Sequence, residues 1–218
     1  MTWPIRDKLQ SLGFYDRHIL PHVIDFACGQ EPVAHQRERV VPMAVGRVVE
    51  IGLGSGLNLR FYDPEKVTAV IGVDPAGEML AKAARRTAGL AFPVEMAALD
   101  GESLPFEPAS ADTVVVTYSL CTIPSPEQAL AEMRRVLKPG GRLLFAEHGA
   151  APDAGVAKWQ DRLDRWVWPS IAGGCHLSRR PDRLIEAAGF AFDRLERGYI
   201  EKTPRPLGYN YWGAARSR

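Results

Sequence analysis

Cysteine is scarce in this sequence, with three in 218 residues. Cys28, Cys121 and Cys175 are odd in number and far apart, without the CxxC pairs of a zinc site or the framework of a secreted disulfide domain. A reducing, cytoplasmic setting is therefore expected. Long hydrophobic runs are also missing. No window approaches the roughly 18 apolar residues of a membrane span, and Met1 to Lys8 lacks the apolar stretch of a signal peptide. No integral membrane anchor is expected. Charge of one sign is not in excess, since 27 Lys and Arg stand against 26 Asp and Glu for a formal net charge of +1. That argues against nucleic acid as the main partner, because phosphate binding needs a basic face. The 46% hydrophobic and 24% charged content is that of a soluble globular chain able to bury a sizeable core. A small molecule is the partner this leaves; oligomeric state leaves no mark in the sequence.

Residues 1–46 read as a cap of two or three helices. Ile19, Leu20, Val23, Ile24 and Ala27 recur at helical spacing within Tyr15 to Ala27, Pro21 should begin or kink that helix, and Gln30-Glu31-Pro32 opens another. From Arg47 the pattern alternates short apolar runs with helical segments. Val48 to Ile51, Val67 to Val73, Phe92 to Met96, Thr113 to Tyr118 and Arg142 to Ala146 are too continuously apolar for half-exposed strands. They predict a doubly wound α/β sheet of parallel strands. Ser125, Pro126 and Gln128 form a capping-box signature for the helix carrying Leu130, Met133 and Leu137, and Lys138-Pro139-Gly140-Gly141 ends it. Residues 149–190 read as helices on the substrate side, with Trp159, Leu163 and Trp166 at core-like spacing. Two final strands, about Ala191 to Glu201 and Leu207 to Ala215, close residues 191–218. The whole is expected to be one domain, with 47–148 as the cofactor-binding core.

The main chemical signal is Glu50-Ile51-Gly52-Leu53-Gly54-Ser55-Gly56 at the end of the first strand. Glycines there permit a tight turn and close approach of a ligand to the backbone. Asp74 ends the second strand 18 positions beyond Gly56, a spacing that suits a carboxylate accepting from ribose hydroxyls. Leu57 stands where a dinucleotide loop needs glycine or alanine, and no Lys-Ser or Lys-Thr follows as in a Walker loop. Glu50 would repel pyrophosphate and attract a cation, which favours a positively charged adenosine compound.

Four motifs in order carry a resemblance: the EIGLGSG loop, Val73-Asp74-Pro75, Leu99 to Phe106 followed by Ala111 to Val116, and Arg135 to Gly141. From Val48 to His148 the chain resembles the class I S-adenosylmethionine-dependent methyltransferases, in the group called methyltransferase type 11. The resemblance implies a Rossmann-like seven-stranded sheet, mostly parallel with an antiparallel C-terminal hairpin, and S-adenosyl-L-methionine as cofactor. It implies that Gly52, Gly54 and Gly56 pack against the methionine and ribose parts. Asp74, in the motif shared with Pro75, would hold the ribose hydroxyls, Asp100 with Gly101 and Glu102 would frame the adenine, and Glu50 would sit near the ammonium end.

Acceptors should bind at the carboxyl ends of the strands, where Tyr118 to Cys121 and Ala146 to His148 arrive. His148, able to titrate near neutrality, is the candidate base or positioning group, with Tyr118 beside it. Tyr118 to Thr122, Phe145 to His148 and Gly173 to Arg179 are similar to the small alkyl-thiol methyltransferase branch. Cys121, Trp168 and His176 are the expected lining of an acceptor pocket, and Cys121 and Cys175 are read as small hydrophobes without catalytic role. His18, His22 and Asp25 suggest no metal site, since Pro21 intervenes and no third ligand can be placed. The expected acceptor is a small lipophilic nucleophile, a thiol first; phospholipid amines, quinone rings and a non-catalytic cofactor-binding subunit are the alternatives.

Overall fold

The computed structural model describes Gly13 and residues 19–218; His18 and most of the segment before it lie outside the described residues. Pro21 falls in the first turn of α1 (Leu20–Cys28), so it begins this helix rather than kinking it. Pro32 does the same for α2 (Glu31–Val40), which runs through a short 3₁₀ turn into the sheet.

The strands are β1 (Gly46–Ile51), β2 (Val67–Val73), β3 (Val94–Ala97), β4 (Ala111–Thr117), β5 (Leu137–His148), β6 (Phe190–Tyr199) and β7 (Tyr209–Ser217). They form one seven-stranded sheet in the order β3-β2-β1-β4-β5-β7-β6. The first five are parallel, and β7 runs antiparallel to both its neighbours. The apolar runs are continuous because both faces are covered: Val49, Ile51, Val114 and Val116 pack on one side, and Val48, Val70, Val115 and Leu144 on the other. Strand order reverses between β1 and β4, and the crevice at their carboxyl ends is the ligand position that such sheets offer.

α3 (Gly77–Arg85) follows β2, and α4 (Pro126–Val136) buries Leu130 and Met133. Ser125 does precede α4, but its side chain makes no capping bond; its N–H donates instead to Glu102 Oε1 at 2.7 Å, tying the helix start to the loop after β3. The Lys138 to Gly141 segment ends α4 and is also the first stretch of β5. α5 (Ala154–Trp166), α6 (Trp168–Ile171) and α7 (Pro181–Ala187) lie between β5 and β6. Here the core-like spacing misled: Trp159 is 57% and Trp166 80% exposed, so the amphipathic stripe of α5 does not face the core. The last hairpin is joined by the helical turn α8 (Arg205–Gly208), which occupies the expected start of the final strand.

Candidate functional site: a cleft at the strand ends

A cleft of about 300 Å³ opens where the strand order reverses. Glu50, Gly52, Gly54, Asp74, Pro75, Asp100, Gly101, Glu102 and Tyr118 all line it. Gly56 does not; its backbone, at φ +80°, turns against Leu59 and Ala83, so it serves the packing of the loop on α3. Gly52, at φ +72°, has no room for a side chain, because a Cβ would collide with Ser119. Asp74 Oδ2 accepts from the Gly54 N–H and Oδ1 from the Ala76 N–H, each at 2.9 Å. Burial raises its pKa against these two bonds, and each oxygen keeps a lone pair for a ligand hydroxyl.

Glu50 is deeper than its place in the motif suggested. Tyr62 donates to its Oε2 at 2.6 Å and Asn58 Nδ2 to its Oε1 at 2.9 Å. Asn58 Oδ1 accepts from Arg37 Nη1 at 3.2 Å, and Arg37 also donates to Thr117. Desolvation dominates these favourable partners and pushes the Glu50 carboxyl up to about 7. Arg37 comes from α2, and no motif in the sequence announced it. α1 supplies another unannounced wall residue, Asp25, which is bonded to Ser55 and paired with Arg86 at 3.2 Å. His22, which had been grouped with Asp25, lies instead 3.2 Å from Lys82 Nζ.

The β4–β5 end is built differently. Tyr118 holds φ +53°, uncommon for a side chain of its size, and its hydroxyl donates to Asn210 of β7 at 2.7 Å. The Arg37 guanidinium stands 5.0 Å from the centre of its ring. Glu147, fully buried, accepts from the Ser119 and Leu120 N–H groups at 2.9 and 3.2 Å, and burial pushes it up to about 7. In the sequence it stands directly after the apolar run Leu143 to Ala146, within the Phe145 to His148 motif.

His148 does not reach the cleft wall. Its ring lies 6.5 Å from that of Tyr118, and its Nε2 is 3.2 Å from the Cys175 sulfur. Cys121, Trp168 and His176 are likewise absent from the wall; the lining on this side is Tyr118, Ser119, Thr122, Ile123 and Gly173. Cys121 and Cys175, expected as small hydrophobes, lie together with His148, all three ligand atoms within 4.8 Å of one another. The neighbouring Cys121 and His148 lower the Cys175 thiol well below its usual range. Trp168 Nε1 is buried beside that sulfur without a full hydrogen bond.

The cleft suits a cationic adenosine compound. Its glycine backbone admits close approach, Asp74 offers free lone pairs, and Glu50, Asp100 and Glu102 place carboxyl groups around it. Comparison with known proteins agrees. The family described as a methyltransferase domain matches residues 49–145. A rat thiol S-methyltransferase, TMT1B, is 36% identical over 150 residues, covering 68% of this chain and 62% of the relative. The chain thus spans less than two thirds of that protein's length. A phosphatidylethanolamine N-methyltransferase of Cereibacter sphaeroides is 32% identical over 193 residues, covering 85% of this chain and 88% of the relative. A Leishmania major S-adenosylmethionine-dependent methyltransferase structure shares the fold at TM-score 0.68 and 17% identity, covering 97% of this chain and 82% of that one. With the ordered motifs, the reversed-order sheet and its carboxylate-lined cleft, these similarities show that the chain belongs to the class I S-adenosylmethionine-dependent methyltransferases.

Proposed function

We propose that the chain transfers the methyl group of S-adenosylmethionine to a small lipophilic thiol. The bound cofactor supplies an electrophilic methyl on a sulfonium sulfur. Asp74 accepts from the ribose hydroxyls, Gly52 and Gly54 let the backbone approach, and Asp100, Gly101 and Glu102 frame the adenine. Glu50, buried at the base of the loop and held by Tyr62 and Asn58, acts on the cation through its field.

The observation that carries the thiol is that the cleft's carboxylates are engaged with the chain or assigned to the cofactor: Glu50 is held by Tyr62 and Asn58, Asp25 is paired with Arg86, and Asp74, Asp100 and Glu102 face the adenosine. Among the described residues no histidine or lysine lines the cleft, and burial raises the Tyr118 and Cys28 groups that do. An acceptor that ionises unaided fits such a site, and a thiol of pKa about 8.5 supplies thiolate near neutrality. The thiolate sulfur forms its bond to the methyl carbon as the sulfonium C–S bond breaks, its proton having gone to solvent. Rate then comes from alignment in a partly closed cleft, with Tyr118, Thr122, Ile123 and Gly173 as the acceptor-side wall. A phospholipid head-group amine is the second reading, supported by the Cereibacter sphaeroides relative, which aligns over most of both chains.

The test is incubation with labelled S-adenosylmethionine and panels of thiols, amines, phenols and phospholipids, with products identified by mass. A methyl thioether formed with equimolar S-adenosylhomocysteine is expected. A methylated head-group amine would select the second reading, and no product with any acceptor would overturn both.

A further inference from the structure

Cys121 leaves the turn after β4, His148 ends β5, and Cys175 follows α6, so three segments distant in sequence deliver two sulfurs and an imidazole nitrogen to one point. The frame around them is stitched by backbone bonds. The His176 N–H donates to Cys121 O at 2.9 Å, and Arg179 holds Leu120 O and Ile123 O. Asp164 of α5 accepts from the Leu177 and Ser178 N–H groups, both at 2.8 Å. The cluster's own polar atoms are less well served: His148 Nδ1 and Trp168 Nε1 are buried without a hydrogen-bond partner.

We propose that Cys121, His148 and Cys175 form a binding site for one zinc ion. Two thiolates and a neutral imidazole neutralise a divalent cation, so the complex can lie in a partly buried place at little electrostatic cost. Zinc–sulfur bonds of about 2.3 Å and zinc–nitrogen bonds of about 2.0–2.1 Å set tetrahedral ligand atoms about 3.3–3.8 Å apart. The observed separations, all within 4.8 Å, exceed that spacing by about 1 Å at most. Sulfur and imidazole donors select zinc over magnesium or calcium, which take oxygen. Three protein ligands leave the fourth tetrahedral position open, the pattern of zinc sites that take an exogenous ligand. The site rests on these three side chains and does not depend on the methyl-transfer reading.

The test uses the full chain, stripped of metal under reducing conditions and titrated with Zn²⁺ against a chromophoric chelator and with Co²⁺ as spectroscopic probe. One equivalent per chain is expected, with a sulfur-to-cobalt charge-transfer band and no binding of Mg²⁺. Cys121→Ser, Cys175→Ser and His148→Ala should each weaken zinc binding by more than the roughly 10–100-fold that losing an outer partner of a metal site costs. Cys28→Ser and His22→Ala should leave it unchanged. Circular dichroism reports whether the variants fold. In the unaltered chain, zinc should protect Cys121 and Cys175 together from alkylation, read by mass, without changing the labelling of Cys28. Absence of stoichiometric zinc binding, a cobalt spectrum without sulfur character, or full binding in the folded Cys121→Ser and Cys175→Ser variants would overturn the proposal.

Discussion

The two ends of the crevice follow opposite plans. On the β1–β2 side, the ligand wall is backbone and short carboxylates, held by residues close in sequence: Gly52 and Gly54 precede Asp74 by about one strand and turn, and the Gly54 N–H fixes the Asp74 oxygen. On the β4–β5 side, Tyr118 is held by Asn210, Glu147 clasps the turn at Ser119 and Leu120, and His148 meets Cys175. At one end a local motif supplies the loop and its carboxylate, with Asp25 and Arg37 added from α1 and α2. The other exists only when segments up to 92 residues apart have met.

The sharpest way to break this contrast is to remove one group from each end. Asp74→Ala should weaken S-adenosylhomocysteine binding by about 100-fold or more, since hydrogen bonds to a charged group contribute about 1.5–3 kcal/mol each. His148→Ala should leave that affinity within about twofold, both read by calorimetry. Similar losses in the two variants would erase the division. Turnover gives the next largest effect. Because His148 stays off the cleft wall, His148→Ala should cost less with a thiol acceptor than the roughly 100-fold or more that removing a general base costs. A larger loss at pH 7, with cofactor affinity intact, would make His148 a base after all.

Acidity sharpens the contrast further. Glu50 and Glu147 are both pushed from 4.5 to about 7 by burial. The folded chain therefore keeps protons that the unfolded chain releases. Stability of the ligand-free chain should be greatest near and below pH 4.5 as far as these two groups are concerned, and should fall as pH rises through 7. Only Glu50 lines the cleft, so affinity for the cationic cofactor should rise between pH 6 and 8, by at most about tenfold per unit. Glu50→Gln should flatten that rise, and Glu147→Gln should not. The smallest effect belongs to the exposed tryptophan of α5. Trp166→Ser should change unfolding free energy by no more than about 0.5 kcal/mol, as for a surface site. A loss of about 3–5 kcal/mol would restore its reading as core.

These differences also explain what could be read before the structure was known. The strands announced themselves because two-sided burial demands unbroken apolar runs, and β2 falls within the very residues expected. Gly52, Gly54 and Asp74 were legible because their spacing is imposed by one strand–turn–strand unit. Arg37, Asn58 and Asp25 were not, since each reaches the cleft from a segment whose pattern records only its own packing. Cys121 and Cys175 carried no pairing signal because 54 residues separate them. Trp159 and Trp166 misled for the converse reason: helical spacing fixes which residues share a face and is silent on what that face meets.

The bond from Tyr118 to Asn210 has a consequence for the order of assembly during synthesis. β1, β2, β3 and β4 can pair as soon as about 117 residues are available, but β5 has β7 as its second neighbour. Until residues 209–217 leave the ribosome, the Leu143 to Ala146 edge of β5 is open and apolar, a template for pairing with other chains. The β4–β5 end of the crevice is accordingly completed only after β7 has been made, and until then the nascent chain is exposed to aggregation, whereas the glycine loop takes shape from local contacts earlier in translation.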